Sequence, residues 1–333
     1  MKLRVPIALV TLAVAFGGAG VAVHKARTAL SPVTDAPTTT HVFSVAPGET
    51  LGRIAERLER EKLVRSAFAF EMLARWREQE SALQVGEYAL SPAMAPDEIL
   101  ATIAQGRVVT YEMAIPEGFT VLQTAERVAT GKFAERDAFL AVARSAEIAE
   151  KLGVEGETLE GYLFPETYRI PHGLSAEEIA RVLVDHFLAV WRELEPQATA
   201  AGLSMREVVT LGSIIEKETS APEERPLIAS VFLNRIARGM RLETDPTVIY
   251  GIPDFDGNLR RRDLEDRSNP YNTYVIPGLP PGPIASPGRA ALQAVLEPAT
   301  SDYLFFVSRN DGSHVFSKTY REHVAAVNRY QRR

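Results

Sequence analysis

Apolar and polar positions follow two periods along this chain, and the switches between them predict its elements. His41–Val45 alternates as a short strand. Pro47, Gly48, Glu49 and Thr50 then turn the chain into a helix that carries Leu51, Ile54, Ala55 and Leu58 on one face, with Thr50 placed to cap it. A second helix is predicted over roughly 66–77, a strand at Gly86–Leu90, and a helix from Asp97 that stops at Gly106. Strand, helix, helix, strand, helix in that order predicts a small α+β module. Residues 108–115 read as a strand joining this module to a second region. There, helical spacing recurs over 120–129, 134–143, 176–194, 204–219 and 222–238. The run 160–168 is dense in aromatics and proline, the composition of a loop that presents rings. From 244 to 287 regular patterning gives way to proline and glycine, and irregular chain of that length inside a compact domain marks a functional surface. Residues 303–308 and 314–317 read as a hairpin turning at Asp311 and Gly312. The predicted class is α+β throughout.

The N-terminus adds a different element. Residues 5–23 hold 19 consecutive positions without a charge, nearly enough helix to cross the ~30 Å hydrocarbon core of a bilayer. The expectation is a single-pass transmembrane anchor; the alternative is a cleaved signal peptide, whose apolar run is ordinarily shorter. Lys2 and Arg4 precede the run as closely as Lys25 and Arg27 follow it, so charge does not set its orientation. Proline, threonine and alanine crowd the next stretch as in an extended linker. The organisation expected is an anchor at 1–27, a linker at 28–40, a small module at 41–107 and a larger domain at 108–333.

Composition narrows the function. A formal charge of −6 over 333 residues gives no drive toward nucleic acid. Cysteine is absent and the six histidines form no HxxxH or HExxH pair, so neither a catalytic metal nor another cofactor is expected. On a helical wheel Val208, Leu211, Ile214 and Ile215 make one apolar stripe, and Glu218 falls in its middle, while Glu216 lies about 140° from Leu211. A carboxyl at the wall of a partly apolar cleft keeps its proton toward neutral pH and can act as a general acid. The duller reading is a helix-end glutamate that turns to solvent or pairs with Arg225 or Arg235. Ser213 lies within the helix and outside any GxSxG elbow, which sets a serine hydrolase aside.

The run SIIEKETSAPEERPLIASVFLNRIARGMRLETDPTVIYG, followed by NPYNTYVIPGLPPGPIASPG, closely resembles the endolytic murein transglycosylase (MltG, YceG-like) family from about residue 108 onward. SVAPGETLGRIAERL resembles a LysM-like carbohydrate-binding module, with a spacer or docking domain as the other reading. The family's EKET glutamate corresponds to Glu218. The resemblance implies lytic cleavage between N-acetylmuramic acid and N-acetylglucosamine in nascent glycan strands. It further implies a 1,6-anhydro product, a place in the inner (cytoplasmic) membrane with the catalytic domain outside, and membrane-embedded peptidoglycan synthases as partners. Tyr271, Asn272, Thr273 and Tyr274 match the family's YNTY segment, where an amide suits an N-acetyl group and ring faces suit sugars. Asp245 is expected either to orient substrate or to serve as a turn former. Glu166 is a possible second carboxylate or a structural acceptor, the 278–284 segment a stiff cleft wall, and His314 and His323 packing or hydrogen-bonding residues. Two other functions stay open: a hydrolytic muramidase using Asp245 or Glu166, and a nonenzymatic peptidoglycan scaffold.

Overall fold

The computed structural model describes residues 24–36, 39–219 and 221–331. The predicted anchor at 5–23 lies outside the described residues, and no helix among those described is long and apolar enough to cross a membrane. The chain divides into two compact units, one running to Tyr111 and taking in Ile170–Gly173, the other formed by Glu112–Arg169 and Leu174–Arg333.

In the first unit, β1 (His41–Val45) and β2 (Gly86–Leu90) pair antiparallel, with Phe43 opposite Tyr88 and Val45 opposite Gly86. The period of two sends Phe43, Val45, Tyr88 and Leu90 to one buried face. Helices α1 (Leu51–Arg60), α2 (Ala67–Trp76) and α3 (Pro96–Ala104) close over that face through Ile54 and Leu58, Phe70 and Leu73, and Ile99 and Ile103. Thr50 and Ser66 cap the first two helices by accepting from the Arg53 and Ala69 amides. The linker is less free than its composition predicts. Arg65 donates to the carbonyls of Pro32 (2.9 Å) and Val33 (2.8 Å), and the Val33 and Thr34 amides both donate to the Pro92 carbonyl.

The second unit adds β3 (Tyr111–Ala114) and β4 (Thr167–Ile170), which pair, then α4 (Val121–Thr130), α5 (Arg136–Ala143), α6 (Ala146–Leu152) and the long α7 (Ala176–Ala201). Helix α7 runs seven residues beyond the predicted end, through Pro196. Proline removes one amide donor, yet Leu194 and Ala198 on either side stay buried, so packing carries the helix past it. The 160–168 run also departs from expectation: Tyr162, Phe164 and Tyr168 are buried rather than presented, with the Tyr168 hydroxyl donating to the Phe164 carbonyl at 2.6 Å.

Helix α8 (Met205–Glu218) forms the spine of this unit. Val208, Leu211, Ile214 and Ile215 are all buried, as the wheel requires. A 3₁₀ turn at Pro222–Glu224 leads into α9 (Arg225–Ala237), and the irregular stretch that follows holds two short helices, α10 (Asp245–Tyr250) and α11 (Arg261–Glu265). Helix α12 (Arg289–Leu296) packs on α8 at Gly212, where a β-carbon would come within 3.1 Å of Leu292. The chain ends in the β5 (Phe305–Ser308) and β6 (His314–Ser317) hairpin and α13 (Tyr320–Tyr330). Buried Glu224 ties β6 to the turn after α8, accepting from the His314 amide (2.8 Å) and facing His314 Nδ1 at 2.6 Å.

Glu216 is the second anchor of α8. Its carboxylate pairs with Arg225 at 3.0 Å and accepts from the Gly288 amide at 3.0 Å, with both side chains nearly buried. Removing the guanidinium strands a buried charge, which costs more than the pair itself contributes. Arg225→Ala is expected to lower unfolding free energy by about 3 kcal/mol or more, and the double variant Glu216→Leu/Arg225→Met to recover most of it, in urea denaturation followed by circular dichroism.

Candidate active site

Glu218 is the last residue of α8, where an apolar helix face emerges into a cavity of about 390 Å³. Glu243, Asp245, Tyr274, Tyr320 and His323 line the same cavity. The Thr244 hydroxyl donates to Glu218 Oε1. Neither arginine considered from the sequence reaches Glu218: Arg225 holds Glu216, and Arg235 pairs with Glu243 at 3.2 Å. Arg235 is buried beneath the cavity wall and donates to the carbonyls of Leu304, Arg241 and Leu242, which pins the chain entering the site.

That chain is shaped by the residues around it. Glu243 adopts a left-handed φ of 52°, which swings Thr244 toward α8. The Thr244 amide donates to Thr273 Oγ1 at 3.1 Å, and the Thr247 hydroxyl closes the turn on the Thr244 carbonyl at 2.8 Å. Asp245 opens α10 and accepts from the Tyr274 hydroxyl at 2.7 Å. Thr244 is the one contact to Glu218 that sequence reasoning missed. Its only signal in the sequence was its place one residue before Asp245.

The four residues of the YNTY segment separate in space. Tyr274 faces the Glu218 cavity, and Tyr271 lines a different one of about 970 Å³ with Tyr250, Phe255 and Arg144. Asn272 and Thr273 are fully buried. The Asn272 amide donates to the carbonyls of Asp263, Leu264 and Asp266 and accepts from the Tyr274 amide, so the sugar contact expected of it gives way to holding the loop together. Thr273 likewise spends its hydroxyl on Thr244 and Thr247. Glu166 is exposed, lies outside the Glu218 cavity, and accepts from the next residue's amide. His314 and His323 both pack as expected, and His323, stacked on Phe305 with ring centroids 5.2 Å apart, also joins the cavity wall.

Electrostatics mark two carboxyls, Glu218 first. Burial pushes its carboxyl up to about 7; the Thr244 hydrogen bond opposes that rise and the Asp245 charge adds to it. The Tyr274 hydroxyl is raised by burial and by its bond to Asp245, so it remains a donor that orients the Asp245 side chain. A second carboxyl, Glu160, is also pushed up to about 7 by burial. It accepts from the Val121 amide at the start of α4 and from the Tyr250 hydroxyl at 3.1 Å, at the wall of the larger cavity. Among the described residues no cluster of acidic and histidine side chains could hold a metal ion.

A half-buried carboxyl raised toward neutrality beside a hydroxyl donor has the properties of a general acid, as in enzymes that move protons. Comparison with known proteins gives the lineage: the YceG-like family pattern matches residues 43–329, and the chain belongs to that family. It is 30% identical over 320 residues to the endolytic murein transglycosylase of Bacillus subtilis (strain 168), covering 91% of this chain and 88% of that protein. It is 30% identical to the endolytic murein transglycosylase of Streptococcus pneumoniae D39, covering 84% of this chain and 56% of the relative. The crystal structure of a YceG-like protein from Listeria monocytogenes superposes with a TM-score of 0.60 at 32% identity, over 86% of this chain and 98% of the other. With these relatives the chain is an enzyme, a lytic transglycosylase.

Two outcomes follow from the charges. Activity that needs protonated Glu218 falls above about pH 7; Asp245→Asn moves that alkaline limb to lower pH and Thr244→Val moves it higher, read from kcat/KM against pH. Glu160 binds a proton more tightly folded than unfolded, so its contribution to stability is present below an ordinary 4.5 and is lost as pH rises to about 7. Glu160→Gln should flatten that fall, by up to about 3 kcal/mol in urea unfolding at pH 5 and pH 8.

Proposed function

We propose that this chain cuts nascent, uncrosslinked peptidoglycan strands between N-acetylmuramic acid and N-acetylglucosamine, leaving 1,6-anhydro ends that terminate elongation. The observation that carries this reading is the carboxyl of Glu218, half-buried, held by Thr244 and pushed up to about 7. As an acid, Glu218 gives its proton to the glycosidic oxygen as the bond from that oxygen to C1 of the muramic residue breaks. Positive charge then develops at C1, and the Asp245 carboxylate, fixed by Tyr274, lies in the same cavity to oppose it. As a carboxylate, Glu218 takes the proton of the C6 hydroxyl while that oxygen bonds to C1. The leaving sugar keeps the first proton, the C6 proton restores Glu218 to its acid form, and no water enters. One carboxylate therefore suffices.

Localisation and partners extend the proposal: residues 5–23 span the cytoplasmic membrane, the catalytic unit lies outside it, and the membrane-embedded synthases that extrude new strands are the partners. The first unit serves either as a LysM-like glycan binder or as a docking module.

Mass spectrometry of uncrosslinked strands digested by the full chain tests the chemistry. Internal cuts ending in 1,6-anhydromuramic acid, reduced about 10³-fold in Glu218→Gln, are the expected result. Reducing-end muramic acid would overturn the 1,6-anhydro product.

A further inference from the structure

Helix α2 has two faces of opposite character. Ala67, Phe70, Leu73 and Ala74 are buried in the core of the first unit. On the other side Phe68, Met72 and Trp76 recur every four residues and are 74%, 47% and 75% exposed. That spacing sets the three side chains in one row along the helix. An isolated exposed apolar residue is ordinary, but an aligned phenylalanine, methionine and tryptophan form a patch that marks an interaction surface. The neighbouring cations are already matched: Arg75 by Glu71 and Glu80, and Arg77 by Asp97 at 3.0 Å, with the Arg77 guanidinium 5.0 Å over the Trp76 ring. The surface is apolar with a neutralised rim, and so does not fit a polyanion.

The path of the chain shows what lies next to it. Pro32, Val33 and Thr34 are fastened to this unit through Arg65 and Pro92, and Arg65 stands three residues before Phe68, at the start of α2. Eight residues, 24–31, separate that clamp from the uncharged run at 5–23, and 24–29 of them are helical. Six helical residues advance about 9 Å and the two turn residues after them at most about 7 Å, so the spacer reaches no more than about 16 Å. The headgroup layer beyond the hydrocarbon core is itself roughly 5–8 Å deep on each side. A row of aromatic side chains held that close to a bilayer lies within reach of the zone where tryptophan sits by preference.

We propose that the Phe68, Met72 and Trp76 row inserts into the interfacial layer of the bilayer in which residues 5–23 are anchored. The proposal rests on the reading of 5–23 as an anchor. Inserted, the row lays α2 along the membrane surface and fixes the first unit there at two points, the tether and the stripe. Because the adjacent charges are paired, attachment needs no anionic lipid.

Trp76 is its own reporter, since the chain has two tryptophans and the other, Trp191, is buried. The full chain is reconstituted into phosphatidylcholine vesicles with and without bromine on the upper acyl chain, as wild type and as Trp76→Phe. The expected result is about twofold quenching of the Trp76 contribution by brominated lipid, unchanged when salt is raised to about 0.5 M, where exposed charge pairs are screened. A chain that floats with the vesicles while Trp76 stays unquenched and open to acrylamide would overturn the insertion and leave the anchor standing. A Trp76 emission that shifts with protein concentration in detergent, without lipid quenching, would assign the row to a second copy of the chain. A chain that fails to float would remove the anchor and the insertion together.

Discussion

The site depends on one hydrogen bond, from the Thr244 hydroxyl to the carboxyl that ends α8. It joins two parts of the chain that have little else in common: a helix fixed by its apolar stripe, and a loop fixed by polar contacts. Everything around it maintains that junction. The Thr273 hydroxyl holds the Thr244 amide, Arg235 holds the Arg241 and Leu242 carbonyls that lead into the loop, and the ion pair of Glu216 with Arg225 fixes α8 two residues earlier. Each holds through its own buried charge or hydrogen bond. The carboxyl of Glu218 is thereby left with one fixed donor and an otherwise costly environment, which is what keeps its proton available.

Glu216 and Glu218 show how two identical side chains, two residues apart, acquire opposite chemistry. Glu216 points toward a guanidinium and a backbone amide that both stabilise its charge. Glu218 points into a cavity where the charge of Asp245 opposes its own. A rotation of roughly 200° between them, set by the helix alone, separates a structural anion from a proton donor.

Local periodicity explains why part of this was legible in the sequence. The stripe of Val208, Leu211, Ile214 and Ile215 determines where Glu218 points, and the same logic placed Ile54 and Leu58 in the first core. What periodicity does not encode is which partner a polar side chain finds. The Asn272 amide could serve a sugar or a backbone carbonyl equally well, and only the fold of 263–266 around it decides for the latter. Tyr271 and Tyr274 look alike as neighbours in one motif, yet the turn between them sends their rings to different cavities. Glu160 went unnoticed because nothing in its flanking residues announces that α4 will bring the Val121 amide to it. Pro196 similarly invites a helix end that tertiary packing overrides.

The clamp on Pro32, Val33 and Thr34 changes what the linker's length means. In sequence the stretch between the uncharged run and β1 looks like one flexible leash, but the clamp divides it into a working part and a slack part. With residues 5–23 as the proposed anchor, only residues before the clamp set how high the first unit stands above it. On that proposal chain added after the clamp would leave the unit's height unchanged, whereas the same addition between 24 and 31 would lift it directly.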